Sequence, residues 1–163
     1  MALVVADAGP LIALGKIDQL SILQYFFTEI TITEAVRAEC FVNNGLDAQR
    51  IKKCIEQGWI KTVVNPELVN IHSRSLGLGE KTSIEFALQV NEPVLLILDD
   101  ALARNKANAF DMAIVGTVML IFNAEQKQYL NNADALVKIL IKSGYRISDR
   151  VVLSVKQQLN IKR

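Results

Sequence analysis

Two short apolar runs in this chain stop on aspartate. Leu3-Val4-Val5-Ala6 leads into Asp7, and Val94-Leu95-Leu96-Ile97-Leu98 leads into Asp99-Asp100. Short apolar runs rich in branched side chains and bounded by turn residues read as buried strands. In an open α/β sheet, ligands bind just outside the carboxyl ends of the strands. If the two strands are parallel, their ends share one edge, and Asp7, Asp99 and Asp100 approach one another. Clustered, partly buried carboxylates repel and resist ionisation, so shared protons, basic partners or a cation must offset them. The single histidine, His72, sits in no ligand-like spacing, and Cys40 and Cys54 lack metal-site spacing. An oxygen-only donor set favours a hard cation, Mg²⁺ or Mn²⁺. Such ions activate water and stabilise phosphate oxygens in phosphodiester hydrolysis. The competing reading of Asp7 is a cap on the helix that follows it, and the stretch alone leaves both open.

The remaining elements must hold these acids in place. Gly9-Pro10 opens a helix with Pro10 at its first position, where no N–H is needed. Gly15 and Asp18 divide the apolar series from Leu11 to Phe26 into two helices, with Asp18 capping the second. Ile30-Thr31-Ile32 is a second strand, and Thr33 caps a helix carrying Glu34, Val36 and Glu39. An amphipathic helix over 46–57 precedes a third strand over 59–64, and a short helix is expected near 67–72. Gly77-Leu78-Gly79-Glu80 opens a helix that includes Glu85. A short helix over 101–109 leads to a fifth strand at 113–115, stopped by Gly116-Thr117. Helices follow over 118–128 and 133–142, and Ser148 caps a last one. Strands alternating with helices predict an α/β fold in three layers, with a central, mostly parallel sheet of five strands.

The chain is expected to be one domain, 1–163, with a sizeable core. Apolar residues make up 51% of it and charged residues 21%, which excludes a disordered chain. Its 18 basic and 17 acidic side chains nearly cancel, which excludes a strongly basic nucleic-acid-coating protein but not local contact with nucleic acid. No apolar run is long enough to span a bilayer. With no secretory signal and two separated cysteines, reduced thiols in the cytoplasm are expected. Phe26, Phe27, Trp59, Phe110 and Phe122 read as core, and His72 as an ordinary polar residue. Lys16, Arg37, Lys52 and Lys53 read as solvated helix faces before an RNA track.

The chain resembles the PIN-domain family, and within it the small prokaryotic, toxin-like DUF3368 group. The matching pieces are Asp7-Ala8-Gly9-Pro10-Leu11-Ile12-Ala13-Leu14, Val36-Arg37-Ala38-Glu39 and Gly77-Leu78-Gly79-Glu80. After them come Leu98-Asp99-Asp100 with Ala103-Arg104, Val115-Gly116-Thr117, and Gly144-Tyr145-Arg146-Ile147-Ser148. They fall in the family's order over nearly the whole chain. The resemblance implies a PIN-like fold and a Mg²⁺- or Mn²⁺-dependent endoribonuclease. It further implies the toxin of a toxin–antitoxin pair, with an antitoxin as partner, and a homodimer, the common state in the family.

Carried over residue by residue, Asp7, Glu39, Glu80 and Asp99 match the family's catalytic metal carboxylates, and Asp100 accompanies Asp99 as a further ligand. Glu34 competes for the second place but reads better as a first-turn acid favoured by the helix dipole. Glu85 competes for the third and is expected to point to solvent. Arg104 either binds substrate phosphate or pairs with Asp100 at i,i+4. Thr117 either holds phosphate or a metal-bound water, or caps the next helix. There are departures from the family pattern. Many PIN proteins place Ser or Thr after the first Asp, where this chain has Ala8. Thr33 stands where relatives often have Pro, Thr82 where an additional acid often appears, and Glu80 where many active nucleases place Asp. They motivate a second expectation, a PIN-fold binding or interaction module with weak or no catalysis.

Overall fold

A computed structural model describes residues 2–162. Its five strands are β1 (Leu3–Ala6), β2 (Ile30–Thr33), β3 (Ile60–Val63), β4 (Val94–Ile97) and β5 (Ala113–Val115), in the spatial order β3-β2-β1-β4-β5. Every pairing is parallel. The order steps outward from β1 in both directions, so β1 and β4 flank the point where it reverses. Ligand crevices open at such a point in doubly wound sheets. Leu3 pairs with Val94 and Ala6 with Ile97, so the two strands end level, and the Asp7 amide continues the ladder to the Ile97 carbonyl at 3.1 Å.

Alternation along β1 serves two cores. Val4 and Ala6 face one together with Ile97 of β4, while Val5 faces the other with Leu96 and Leu98. Successive side chains of a strand point to opposite faces, so unbroken apolar runs belong to a sheet covered on both sides. The larger core gathers α1 (Ala8–Lys16), α2 (Ser21–Phe27), α4 (Leu46–Glu56), α7 (Thr117–Gln126) and α8 (Ala133–Lys142). Its bulk comes from side chains such as Leu11, Leu14, Ile51 and Phe122. The smaller core lies under α5 (Leu78–Gln89) and α6 (Ala101–Asn108), through Ile84, Ala103 and Ala107. Short α3 (Glu34–Cys40) bridges to α5, and α9 (Asp149–Gln158) closes the chain against α7. This is the three-layer α/β/α arrangement.

Capping by Thr33, which accepts from the Val36 amide at 3.3 Å, and by Ser148, which accepts from the Val151 amide at 3.3 Å, agrees with the sequence reading. Four expectations are corrected. Helix α1 starts at Ala8, so Pro10 is its third residue. Its missing N–H is still among the first four amides that have no partner within a helix. Asp18 caps nothing. It takes the left-handed conformation, which Asp tolerates, and pairs with Arg50 at 3.3 Å, while Leu20 holds the N-cap of α2. Residues 67–72 form no helix, because the Asn70 and Ile71 amides are given to the Glu85 carboxylate. Phe110 is exposed, with the Lys106 ammonium 5.8 Å from its ring centroid. Cys40 and Cys54 are buried free thiols.

Candidate metal centre

Asp7 ends β1 at the N-cap position of α1, yet its side chain makes no capping hydrogen bond. It is 6% exposed, and its Oδ1 atom is buried without a hydrogen-bond partner. A buried, unpaired carboxylate oxygen is costly, and the group yields by holding its proton more tightly. Burial, helped by the charges of Glu80 and Glu39, pushes Asp7 from an ordinary 3.8 up to about 7. The Ala8 and Gly9 amides pull the other way and do not offset this.

Glu39 and Glu80 reach the same edge from α3 and α5. The Gly79 amide donates to Glu39 Oε1 at 2.8 Å. A Cβ at position 79 would lie 2.5 Å from Glu39 Oε2, so glycine is what lets the carboxylate sit over the start of α5. Glu80 accepts from the Gly77 amide at 2.9 Å, satisfying one of the otherwise unpaired amides at the start of that helix. Desolvation raises its pKa, and Asp100 and Glu39 raise it further. The charges of Glu39 and Glu80 therefore act on Asp7, and those of Asp100 and Glu39 on Glu80. Asp100 is exposed and also caps α6, accepting from the Ala103 amide at 2.9 Å.

Of these five acids, Asp99 is the most fully held. The Thr117 amide donates to Oδ1 at 2.8 Å and the Thr117 hydroxyl to Oδ2 at 2.6 Å. The Tyr145 hydroxyl also donates to Oδ2. Gly9, two residues after Asp7, lies close to the same hydroxyl. A Cβ at Gly9 would sit 3.5 Å from the Tyr145 hydroxyl oxygen and 3.8 Å from Asp7 Oδ2. Burial and the Asp99 charge together drive the Tyr145 hydroxyl well above the ordinary tyrosine range, with a smaller push from Asp7. The tyrosine hydroxyl is the donor in this pair.

The other expected residues fall as follows. Thr117 is fully buried and is the first residue of α7. Gly116 is the N-cap, so Thr117 neither caps that helix nor meets solvent, and its hydroxyl is committed to Asp99. Arg104 does not pair with Asp100. It donates to the Leu98 carbonyl at 2.9 Å, and a Cβ at Gly116 would lie 2.9 Å from its Nη1 and 3.1 Å from Asp99 Oδ1. Gly116 thus leaves room for both groups. Glu34 stands apart, accepting from the Asn65 amide at 3.2 Å. Glu85 overturns the expectation that it points to solvent. It is fully buried and accepts from the Asn70 and Ile71 amides and from the side chains of Asn70 and Gln89. Burial alone would raise its pKa, but these bonds outweigh that and hold it below the ordinary glutamate value. It is structural. Sequence reasoning assigned Tyr145 no role. The available signal was its place in the Gly144–Ser148 motif, after the glycine that ends α8 and before the cap of α9.

Among the described residues no three of these acids converge into a ready-made ligand set. The donor chemistry nevertheless suits a hard cation. All the groups are carboxylates, one buried oxygen has no partner, and among the described residues none of these acids forms an ion pair. Residues 3–161 match the DUF3368 family, a PIN domain, and the chain belongs to the PIN-domain family. No curated protein matches it significantly. PIN domains are generally nucleases and typically use divalent metals, and the family implies RNA as substrate. No helix among the described residues is long and apolar enough to cross a membrane.

Proposed function

We propose that this chain is a PIN-type endoribonuclease that hydrolyses RNA phosphodiester bonds with Mg²⁺ or Mn²⁺. The observation that carries the reading is Asp7. A buried carboxylate oxygen without a partner stands at the sheet's switch point with Glu39 and Glu80 adding negative charge beside it. Asp7, Glu39, Glu80 and Asp99 are the residues that would hold the cation, with Asp100 at the rim. The chemistry a bound divalent ion supplies is Lewis-acid activation of water and neutralisation of phosphate charge. Thr117 and Tyr145 fix the Asp99 carboxylate. Arg104, anchored on the Leu98 carbonyl beside Asp99, offers its guanidinium to a substrate phosphate. The test compares cleavage of single-stranded and structured RNA by the parent, Asp7→Asn and Asp99→Asn in Mn²⁺. Loss of cleavage in both variants is expected, and equal activity in all three overturns the assignment. The family resemblance alone supports a toxin, a homodimer and an antitoxin that covers the acidic edge, and the two free cysteines support a cytoplasmic setting.

A second reading has observations of its own. Ala8 brings no hydroxyl beside Asp7, and Thr33 Oγ1 and Thr82 Oγ1 close on each other at 2.8 Å in a buried pair, at a place where relatives often carry another acid. These favour a PIN-fold interaction module. Mn²⁺ binding without cleavage of any RNA in a broad panel would select it.

A further inference from the structure

Beside Asp99, on the side away from Asp7, a cleft of about 410 Å³ opens between α6 and α9. Resting on the ribonuclease reading above, we propose that this cleft seats one nucleotide of the RNA next to the phosphate at the carboxylates and selects its base. Three features of the cleft support this.

The first is continuity. Asp99 lines this cleft and also the neighbouring depression bounded by Tyr145 and Arg146, so a strand crossing the acid edge runs directly into it. The second is charge. Arg104 stands at the Asp99 end and Arg150 on the facing helix, and Asp99 is the only acid among the lining residues. Among the described residues neither arginine forms an ion pair. Unpaired guanidinium groups on both walls complement a phosphodiester backbone. The third is the polar lining. Asn105 and Asn108 on α6, Gln158 on α9 and Met119 on α7 all line the cleft. Carboxamides present a donor and an acceptor together, the pattern that reads base edges. A cleft of this volume has room for one nucleotide-sized group.

The lining contains no aromatic ring. Base stacking, which tolerates any sequence, is therefore absent, and selection rests on hydrogen bonds to an unstacked base. The site takes single-stranded RNA and discriminates at one position.

The experiment measures binding of labelled homohexamers A6, C6, G6 and U6 to the intact chain by fluorescence anisotropy, with EDTA present so that no RNA is cleaved. The parent is expected to prefer one base by about fivefold or more. Asn105→Ala/Asn108→Ala/Gln158→Ala should erase that preference while changing mean affinity little. Arg150→Ala should weaken all four RNAs by a similar factor and reduce the salt dependence by about one phosphate contact. Thermal melts of each variant verify folding, and Gln158→Glu offers a milder change that should alter which base is preferred. A preference that survives the triple variant overturns the proposal, as does a parent with no preference. A parent that binds no RNA also overturns it, and Mn²⁺ titration of Asp7 and its neighbours then decides separately whether the ribonuclease reading stands.

Discussion

Thr117 grips both oxygens of Asp99, its amide on Oδ1 and its hydroxyl on Oδ2. One residue at the start of α7 therefore sets the orientation of a carboxylate at the end of β4. Groups that orient metal ligands typically contribute tenfold or more to affinity. Thr117→Val keeps the shape and removes the hydroxyl. Mn²⁺ affinity should fall about tenfold, read by calorimetric titration. Tyr145→Phe should act in the same direction. The double variant should lose less than the sum of the two, because both hydroxyls serve the same oxygen. Unchanged affinity in both single variants would remove Asp99 from the ligand set.

Asp7 makes metal-free stability depend on pH. Its folded pKa of about 7 lies above its ordinary 3.8, so between those values the folded state keeps a proton that the unfolded state has lost. Stability must fall as pH rises through that window and level off above it. The total is up to about 4 kcal/mol. Asp7→Asn should flatten the slope and make the chain more stable than the parent at pH 8, measured by urea unfolding in EDTA. A parent whose stability does not decline from pH 4.5 to 7.5 contradicts the buried, unpartnered carboxylate.

The same proton competes with metal. Below pH 7 the apparent Mn²⁺ affinity of the parent should fall by about tenfold per pH unit, as one proton is released on binding. Titrations in two buffers of different protonation enthalpy count that proton. Release of none at pH 6 would place the ion away from Asp7.

Gly79→Ala separates the fold from the site. Position 79 is helical, where alanine is favoured by up to about 1 kcal/mol. Its Cβ would fall 2.5 Å from Glu39 Oε2, and a flexible carboxylate end moves more readily than backbone. The variant should melt no lower than the parent by more than a degree or two, yet bind Mn²⁺ more weakly. Unchanged metal affinity would show that the Glu39 placement is not needed.

Glu85→Ala should do the reverse. It strips four hydrogen-bond donors of a buried acceptor and frees the segment through Asn70 and Ile71, at a cost of about 3 kcal/mol. Mn²⁺ affinity should remain. Because the folded pKa is depressed, the stabilising contribution of Glu85 is present above its unfolded value and lost as pH falls toward and through the folded one. The penalty of the variant should therefore shrink in acid.

The acids at the two strand ends were legible because an apolar run that ends on aspartate looks the same in sequence as in the sheet. Glu39 and Glu80 needed the family's spacing, since a helix that carries several acids does not reveal which one faces inward. Glu85 misled for that reason. Its neighbours Ile84 and Phe86 say nothing decisive about its own direction, and its partners lie in a segment with no periodic pattern. Tyr145 was visible only as part of a motif, because its acceptor is 46 residues away. The cap assigned to Asp18 failed because a left-handed residue ended the first helix there and moved the cap to Leu20.

The parallel pairing of β1 with β4 has a consequence for how the chain comes into being. Leu3 meets Val94, so the central ladder joins segments separated by more than half the chain. Contacts of such long range form slowly, after the ordering cost of the intervening loop. During synthesis Asp7, Glu39 and Glu80 leave the ribosome well before Asp99, and Thr117 and Tyr145 follow later still. An unfinished chain therefore carries acids without the strand that completes their edge. The carboxylate edge is therefore a late product of synthesis, complete only once Thr117 and Tyr145 have joined Asp99.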